Sequence, residues 1–116
     1  MSDRITVETQ KELNDYSPSE RRAILVHRYF LGIEWGRGPS IQETISSWEA
    51  RFAQPWRREK VMKDIKAQLR EIERHKFFLS ERAGYDVGWD AAAKDWIQAH
   101  AGAWRDWWEG QDFSNP

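Results

Sequence analysis

Two serine-led motifs mark where helices begin in this chain of 116 residues. Ser17 is followed by Pro18 and Glu20, and Ser40 is followed by Glu43. In a capping box, the serine side chain accepts a hydrogen bond from the backbone N–H three residues later, and the acidic side chain bonds back to the serine N–H. Proline is also favoured at the first position of a helix. The spacing therefore predicts helices that begin at residues 18 and 41.

Apolar residues recur at helical spacing along most of the chain, whereas no segment alternates convincingly with the period of a strand. We expect the first helix to end at Gly32, a third helix to run from Pro55 to about Arg82, and a fourth helix, capped by Asp86, to end at Gly110. The predicted core stripe of the first helix is Ala23, Val26, His27 and Phe30, with Ile24 and Leu31 beside it. The stripe of the second helix is Ile41, Thr44, Ile45, Trp48 and Phe52, and that of the third is Val61, Ile65, Leu69, Ile72 and Leu79, with Met62, His75, Phe77 and Phe78 beside it. The fourth helix has a broad face of Trp89, Ala92, Ala93, Trp96, His100, Ala103, Trp104 and Trp107.

The connection between the two long predicted helices is very short, Tyr85 to Gly88. A short link of this kind is typical of neighbouring antiparallel helices. The predicted fold is therefore all-α, a small helical bundle of about four helices centred on a long antiparallel helical hairpin. Because the length suits one domain, we predict a flexible N-terminal arm at 1–16, a single helical domain at 17–110 and a C-terminal tail at 111–116.

The composition excludes several classes of site. The chain has no cysteine, which rules out a disulfide scaffold, a thiolate zinc site and a cysteine nucleophile. Its 18 basic and 19 acidic residues nearly cancel, so general attraction to phosphate or anionic lipid is weak. No apolar run after Met1 resembles a signal segment, and none reaches the length of a membrane span. We therefore expect a cytoplasmic protein that does not enter a membrane.

Tryptophan is the most unusual component, with eight residues in the chain. Its ring contributes a large apolar surface, and its N–H needs a partner when buried. On a helix Trp107 and Trp108 point in different directions, so at least one ring of this region is expected to face outward. Aromatic residues and arginine dominate binding hot spots. The predicted partner-binding residues are Trp104, Arg105, Trp107 and Trp108, with Trp35 and Trp56 next.

A nucleic-acid surface on the basic helix 55–82 is an alternative hypothesis. An aromatic residue beside basic residues could stack on a base and contact phosphate. Acidic residues such as Glu59 and Asp64 interrupt the basic ones, however, and mixed signs are typical of a solvated face with weak ion pairs. The residues that would carry this function are Trp56, Arg57, Arg58, Lys60, Lys63 and Arg70.

A metal-dependent or acid/base enzyme at the predicted turn, residues 75–90, is a third hypothesis. His75, Glu81, Asp86 and Asp90 could converge there. No two histidines have the i, i+4 spacing of a helical zinc pair. A half-buried histidine that hydrogen-bonds to its neighbours is the simpler interpretation.

The segment His75–Gly88 resembles a stretch of uncharacterised bacterial helical proteins. In that stretch a helix passes through an aromatic residue, then Leu-Ser-Glu and Ala-Gly, and Asp-Val-Gly follows; here these residues lie between Phe77 and Gly88. The resemblance covers about an eighth of the chain, and Tyr85 stands where a basic residue is expected. It implies a bacterial, cytoplasmic origin and a turn of defined shape, and it implies no reaction.

The residue pattern contains no catalytic constellation that specifies a reaction. We therefore predict a small, soluble, non-catalytic protein that binds a protein partner or associates with itself, as an accessory or assembly component. Docking is expected to use the tryptophan-rich C-terminal helix, and no cofactor is expected.

Overall fold

The computed structural model describes residues 11–111, and over this range the chain is helical without a strand, which confirms the all-α class. A 3-10 helix, Leu13–Asp15, precedes five α-helices: α1 (Pro18–Trp35), α2 (Ile41–Arg51), α3 (Ala53–Ala83), α4 (Trp89–Ala99) and α5 (Ala101–Glu109). None of these helices is both long enough and apolar enough to cross a membrane. Of the predicted arm and tail, residues 1–10 and 112–116 lie outside the described residues.

The helices belong to two compact units. Unit 1 contains the described residues up to Gln54 together with Glu109 to Gln111, and unit 2 contains Pro55–Trp108. Unit 1 is therefore built mainly from α1 and α2, whereas unit 2 is built from most of α3 with α4 and α5. The predicted domain 17–110 comprises both units.

Both predicted helix starts are confirmed. The Ser17 side chain accepts a hydrogen bond from the Glu20 N–H at the start of α1. The predicted capping box is formed only by half there, because the Glu20 carboxylate bonds to the Trp48 indole. Ser40 and Glu43 form the complete reciprocal box at the start of α2, with bonds of 3.0 and 2.9 Å. The Arg37 guanidinium also donates two hydrogen bonds to the Glu43 carboxylate, and this contact is the main reason that the pKa of Glu43 falls to about 2.

The predicted end of α1 at Gly32 is wrong, because the helix continues to Trp35. Gly36 ends it instead, with a left-handed φ of 72° that glycine adopts without strain. Gly32 has a different role. A Cβ atom at this position would lie 3.4 Å from both the Arg37 carbonyl oxygen and the Pro39 side chain, so the following loop returns to pack against this part of the helix.

The predicted core stripe of α1 is wrong at two of its four positions, whereas Ala23 and His27 are half-buried. Val26 and Phe30 are exposed, whereas Ile24 and Leu31 are almost completely buried. The side that carries Ile24 and Leu31 is inward because α1 packs against α2. Helix α1 consequently keeps an exposed apolar face, whose members are Leu25, Val26, Tyr29, Phe30 and Ile33.

A buried charged residue joins the two main helices of unit 1. The Glu20 carboxylate accepts a hydrogen bond of 2.9 Å from the indole N–H of Trp48 in α2. Both residues are buried. A buried indole N–H without an acceptor is costly, so this contact explains how Trp48 can lie in the core of unit 1.

His27 lies beside this contact in an aromatic setting. Its ring centroid is 4.9 Å from that of Phe52 and 5.9 Å from that of Trp48, and its Nε2 shares a hydrogen bond of 2.9 Å with the Ser47 hydroxyl. Burial lowers the pKa of His27, and the positive charge of Arg51 lowers it further. The folded state therefore favours the neutral imidazole.

The core of unit 2 is made largely of small residues. Its buried members are Ile72 from α3, Ala92, Ala93 and Trp96 from α4, and Ala101 from α5, and its partly buried edge is Leu79, Val87 and Trp104. Alanine lets helix backbones approach closely, and Trp96 is the largest of the buried side chains in this core. The predicted core positions Ala92, Ala93 and Trp96 are confirmed, and Trp104 is half-buried. The prediction is wrong for the rest of that stripe, because the exposed members lie beyond the small core: Trp89, His100, Ala103 and Trp107.

The predicted core stripe of α3 is wrong over the first half of the helix. Val61, Ile65 and Leu69 are exposed, and Ile72 is the buried member of the stripe. Over residues 60–67 the buried side carries Lys60 and Ala67 instead. The small core of unit 2 begins near Ile72, so the earlier apolar residues of α3 remain on the surface.

The predicted fourth helix is divided into α4 and α5 at His100, whose φ of −127° departs from helical geometry. Gly102 makes no close packing contact, since a Cβ atom there would meet nothing within 4 Å. Asp86 is not the N-cap of α4, because Gly88 occupies that position with a φ of 88°. The Asp86 carboxylate accepts a hydrogen bond from the Gly88 N–H and so shapes the turn.

The lowered pKa of His27 predicts a pH-dependent stability. The stabilising effect is present above about pH 6.5, the ordinary histidine value, and is lost as the pH falls through the lower folded-state pKa. The free energy of unfolding from urea denaturation should therefore fall from about pH 7.5 to about pH 5.5, and His27→Gln should reduce that fall. His100→Gln is the matched control; an equal reduction in the control would contradict the assignment to His27.

Candidate functional site

Unit 2 contains an open groove of about 580 Å³. One wall is a face of α3, and the other side is formed by α4, His100 and α5. The lining residues are Glu71, Arg74, His75, Phe78, Trp96, His100, Ala103, Trp104 and Trp107. The groove is thus largely aromatic, with charged and imidazole groups among the apolar rings.

Four indoles form a continuous row, here called the indole row, from the core of unit 2 to its surface. Trp96 is 4% exposed and meets Trp104 edge-on at 5.6 Å between ring centroids. Trp104 stacks on Trp108 at 5.3 Å with an interplanar angle of 13°, and Trp107 is 6.2 Å from Trp108. Trp107 is 58% exposed. The row therefore ends in a large apolar ring that faces solvent.

The carboxylate of Asp64 anchors the row to α3. Its Oδ1 accepts a hydrogen bond of 2.6 Å from the Trp108 indole N–H and another of 2.7 Å from the Lys60 ammonium. Lys60 is only 8% exposed, so this ion pair is poorly screened by water. Charge-assisted hydrogen bonds are among the stronger polar contacts in proteins. The bond from Trp108 joins α5 to α3, and the bond from Lys60, within α3, holds the Asp64 carboxylate in place.

The α3 wall contributes the charged side chains of the groove and the imidazole of His75. His75 donates from Nε2 to the Asp95 carboxylate at 2.6 Å, and its ring centroid is 5.2 Å from that of His100. Arg74 lies 3.3 Å from the Glu71 carboxylate and is largely exposed. These groups give the aromatic groove a rim with both signs of charge.

The predicted partner-binding residues divide between the two units. Trp104 and Trp107 line the groove, Arg105 is exposed on α5, and Trp108 is half-buried as the anchored member of the row. Trp56 is half-buried on α3 of unit 2. Trp35 belongs to unit 1, where it is partly exposed beneath the Arg37 guanidinium, 4.8 Å from the ring centroid.

The α3 wall of the groove was not predicted as a binding surface. Glu71, Arg74, His75 and Phe78 recur at intervals of three, one and three residues, which places them on one side of a helix. That spacing is readable from the sequence, but their mixed chemistry made them resemble an ordinary solvated face.

The residues predicted to bind nucleic acid differ in their solvent exposure. Arg58 and Arg70 are exposed, whereas Trp56, Arg57 and Lys63 are half-buried. Lys60 is buried and forms its ion pair with Asp64, so its charge is already compensated within unit 2. A phosphate contact from Lys60 would require this pair to break.

The predicted metal residues are not gathered into a site. Among residues 11–111, no group of three or more histidine, cysteine or acidic side chains is placed to hold a metal ion. His75 is paired with Asp95, and Asp86 bonds to the Gly88 N–H near Lys76. Glu81 and Asp90 are exposed.

Comparison with protein-family models, with curated proteins and with solved structures finds no match for this chain. The geometry and chemistry of the groove in unit 2 therefore carry the functional inference.

The anchoring role of Asp64 predicts a specific loss of stability. Asp64→Ala removes the acceptor shared by Trp108 and Lys60 and should lower the free energy of unfolding by about 2–4 kcal/mol, given about 1.5–3 kcal/mol for a hydrogen bond to a charged group. Urea denaturation followed by circular dichroism measures the change. Glu73→Ala, an exposed acid on the same helix, should change stability by less than about 0.5 kcal/mol. Equal effects of the two substitutions would contradict the anchor.

Proposed function

We propose that this chain is a non-catalytic binding protein that docks on a protein partner through the groove of unit 2. The observation that carries the proposal is the 58% exposure of Trp107 beside an aromatic groove. Exposed apolar surface next to a concave site is typical of protein-binding surfaces. Tryptophan is also enriched among the residues that contribute most to binding energy.

The contacts behind Trp107 support this role. Trp108, its neighbour in the indole row, is held by the Asp64 carboxylate and stacks on Trp104. Helix α5 is therefore anchored before any partner arrives. A surface that is already ordered loses less conformational entropy on binding, so more of the contact energy is available for affinity.

The lining of the groove indicates the kind of partner segment that fits. Phe78, Trp104 and Trp107 offer an apolar surface, and Arg74 and Glu71 lie at the rim. We propose a segment with a large apolar or aromatic side chain at its centre and polar or charged residues beside it. Such a segment would bury its apolar group against the indoles while its polar groups meet the rim.

We also infer that the unit 2 helices form the antiparallel hairpin expected from the sequence. Ser80 near the end of α3 accepts from the Val87 N–H at the turn, whereas Asp64, earlier in α3, meets Trp108 near the end of α5. The contact farther back along α3 is thus made by the residue farther along the chain after the turn. This order of contacts supports a path in which the helices after the turn run antiparallel to α3. This arrangement would place the exposed end of the indole row far from the turn.

We propose a bacterial cytoplasmic setting for this binding protein. A chain without cysteine is compatible with a reducing compartment. The resemblance of residues 75–88 to a stretch of bacterial proteins points the same way.

A single substitution tests the docking role. Trp107→Ala removes the exposed ring and should weaken binding of a captured partner by about thirtyfold or more, which corresponds to the roughly 2 kcal/mol typical of a hot-spot residue. The wild-type chain is used as bait in the native cell, captured proteins are quantified by mass spectrometry, and the dissociation constant of the recovered partner is then measured.

Ile97→Ala is the matched control, because Ile97 is an equally exposed apolar residue on α4 that does not line the groove. The control variant should retain the partner. Retention of the same partner at unchanged affinity by Trp107→Ala would contradict the proposed docking role. Truncation after Ala103 should also abolish capture, but it removes the anchored Trp108 as well and is therefore the less specific test.

A further inference from the structure

Helix α3 carries an apolar surface that is separate from the groove. Its members are Val61, Met62, Ile65 and Leu69, which we call the α3 stripe, and each is 44–54% exposed. The stripe runs along one side of the first half of the helix, whereas the groove uses α3 residues from 71 to 78. Contiguous exposed apolar surface of this kind marks an interaction site in many proteins.

The spacing of the stripe matches the seam of a paired helix. Arg58, Met62, Ile65 and Leu69 follow one another at intervals of four, three and four residues. This is the heptad spacing by which two helices pack along a narrow apolar seam. The partner that such a seam fits is another helix with the same spacing.

We propose that the α3 stripe binds the α3 stripe of a second copy of this chain in an antiparallel, twofold-symmetric pair. In this register Met62 lies opposite Ile65 of the second copy, and the aliphatic stem of Arg58 covers Leu69 of the second copy. The twofold axis passes between residues 63 and 64, so each of these contacts occurs twice.

Charge complementarity selects this register. Glu59 and Lys66 each follow a seam residue directly and are exposed. In an antiparallel pair, residues at this flanking position face their counterparts on the second helix. The register therefore puts Glu59 beside Lys66 of the second copy, and Lys66 beside Glu59 of the second copy, which gives two attractive pairs.

A shift of one heptad toward the end of α3 is disfavoured on two grounds. It would place Lys66 beside Lys66 and Glu59 beside Glu73, and like charges at such positions repel. It would also require Ile72 in the seam, although Ile72 is buried in the core of unit 2. Of these two registers, only the first satisfies both the apolar and the charged residues of the stripe.

A charge exchange tests the pairing. The full chain is expected to be a dimer by sedimentation equilibrium, and Glu59→Lys or Lys66→Glu alone should weaken the dimer by about tenfold, because two attractive pairs become repulsive. The double variant Glu59→Lys/Lys66→Glu restores opposite charges and should restore the wild-type dissociation constant. Circular dichroism checks that each variant keeps its helix content.

Two further variants separate this register from other interfaces. Glu73→Lys should leave the dimer unchanged, since Glu73 lies outside the proposed overlap, whereas strengthening by this change would favour the shifted register and overturn the proposal. Ile65→Glu should produce a monomer. A monomeric wild-type chain would overturn the proposed pairing, and so would a double variant whose dissociation constant is not restored. A dimer that survives Ile65→Glu but is lost in Phe30→Glu, on the exposed face of α1, would also overturn it.

Discussion

The carboxylate of Asp64 is the contact on which the surface of unit 2 depends. It accepts hydrogen bonds from the Trp108 indole and from the poorly exposed Lys60 ammonium, and so joins the end of α5 to α3. Without this acceptor, a half-buried indole N–H and a buried ammonium would both lose a charged partner, which is costly in a weakly screened setting. The anchored Trp108 in turn supports Trp104 by stacking and leaves Trp107 at the surface.

The small core of unit 2 explains why apolar surface of α3 remains outside it. In unit 2 the buried positions are mostly alanines around Trp96, so the interior has little room for further large residues. The apolar residues in the first half of α3 are therefore exposed. In unit 1 the outer face of α1 is exposed because the opposite side of this helix packs against α2. Isolated exposed apolar residues are normal in proteins, but contiguous faces are unusual and indicate binding. The groove and the α3 stripe are two such faces within unit 2.

Local signals in the sequence predicted the starts of α1 and α2 correctly. They predicted poorly which side of a helix packs into the core. The capping box of Ser40 and Glu43 was predictable because both partners lie within one turn. The side of α1 that is buried was not, since Val26 and Phe30 are as apolar as the residues that face α2, and only packing decides between them. The hydrogen bond between Asp64 and Trp108 joins residues 44 positions apart, and no local sequence pattern predicts such a contact.

The solvent exposure of individual indoles in the isolated protein tests the central claim most directly. Nuclear magnetic resonance of the assigned tryptophan rings, with a soluble paramagnetic agent added, measures how closely solvent approaches each ring. The account predicts strong attenuation of the Trp107 ring signals and protection of those of Trp96, with Trp108 intermediate. Protection of Trp107 equal to that of Trp96 would mean that the indole row ends inside the protein, and the proposed docking surface would then not exist.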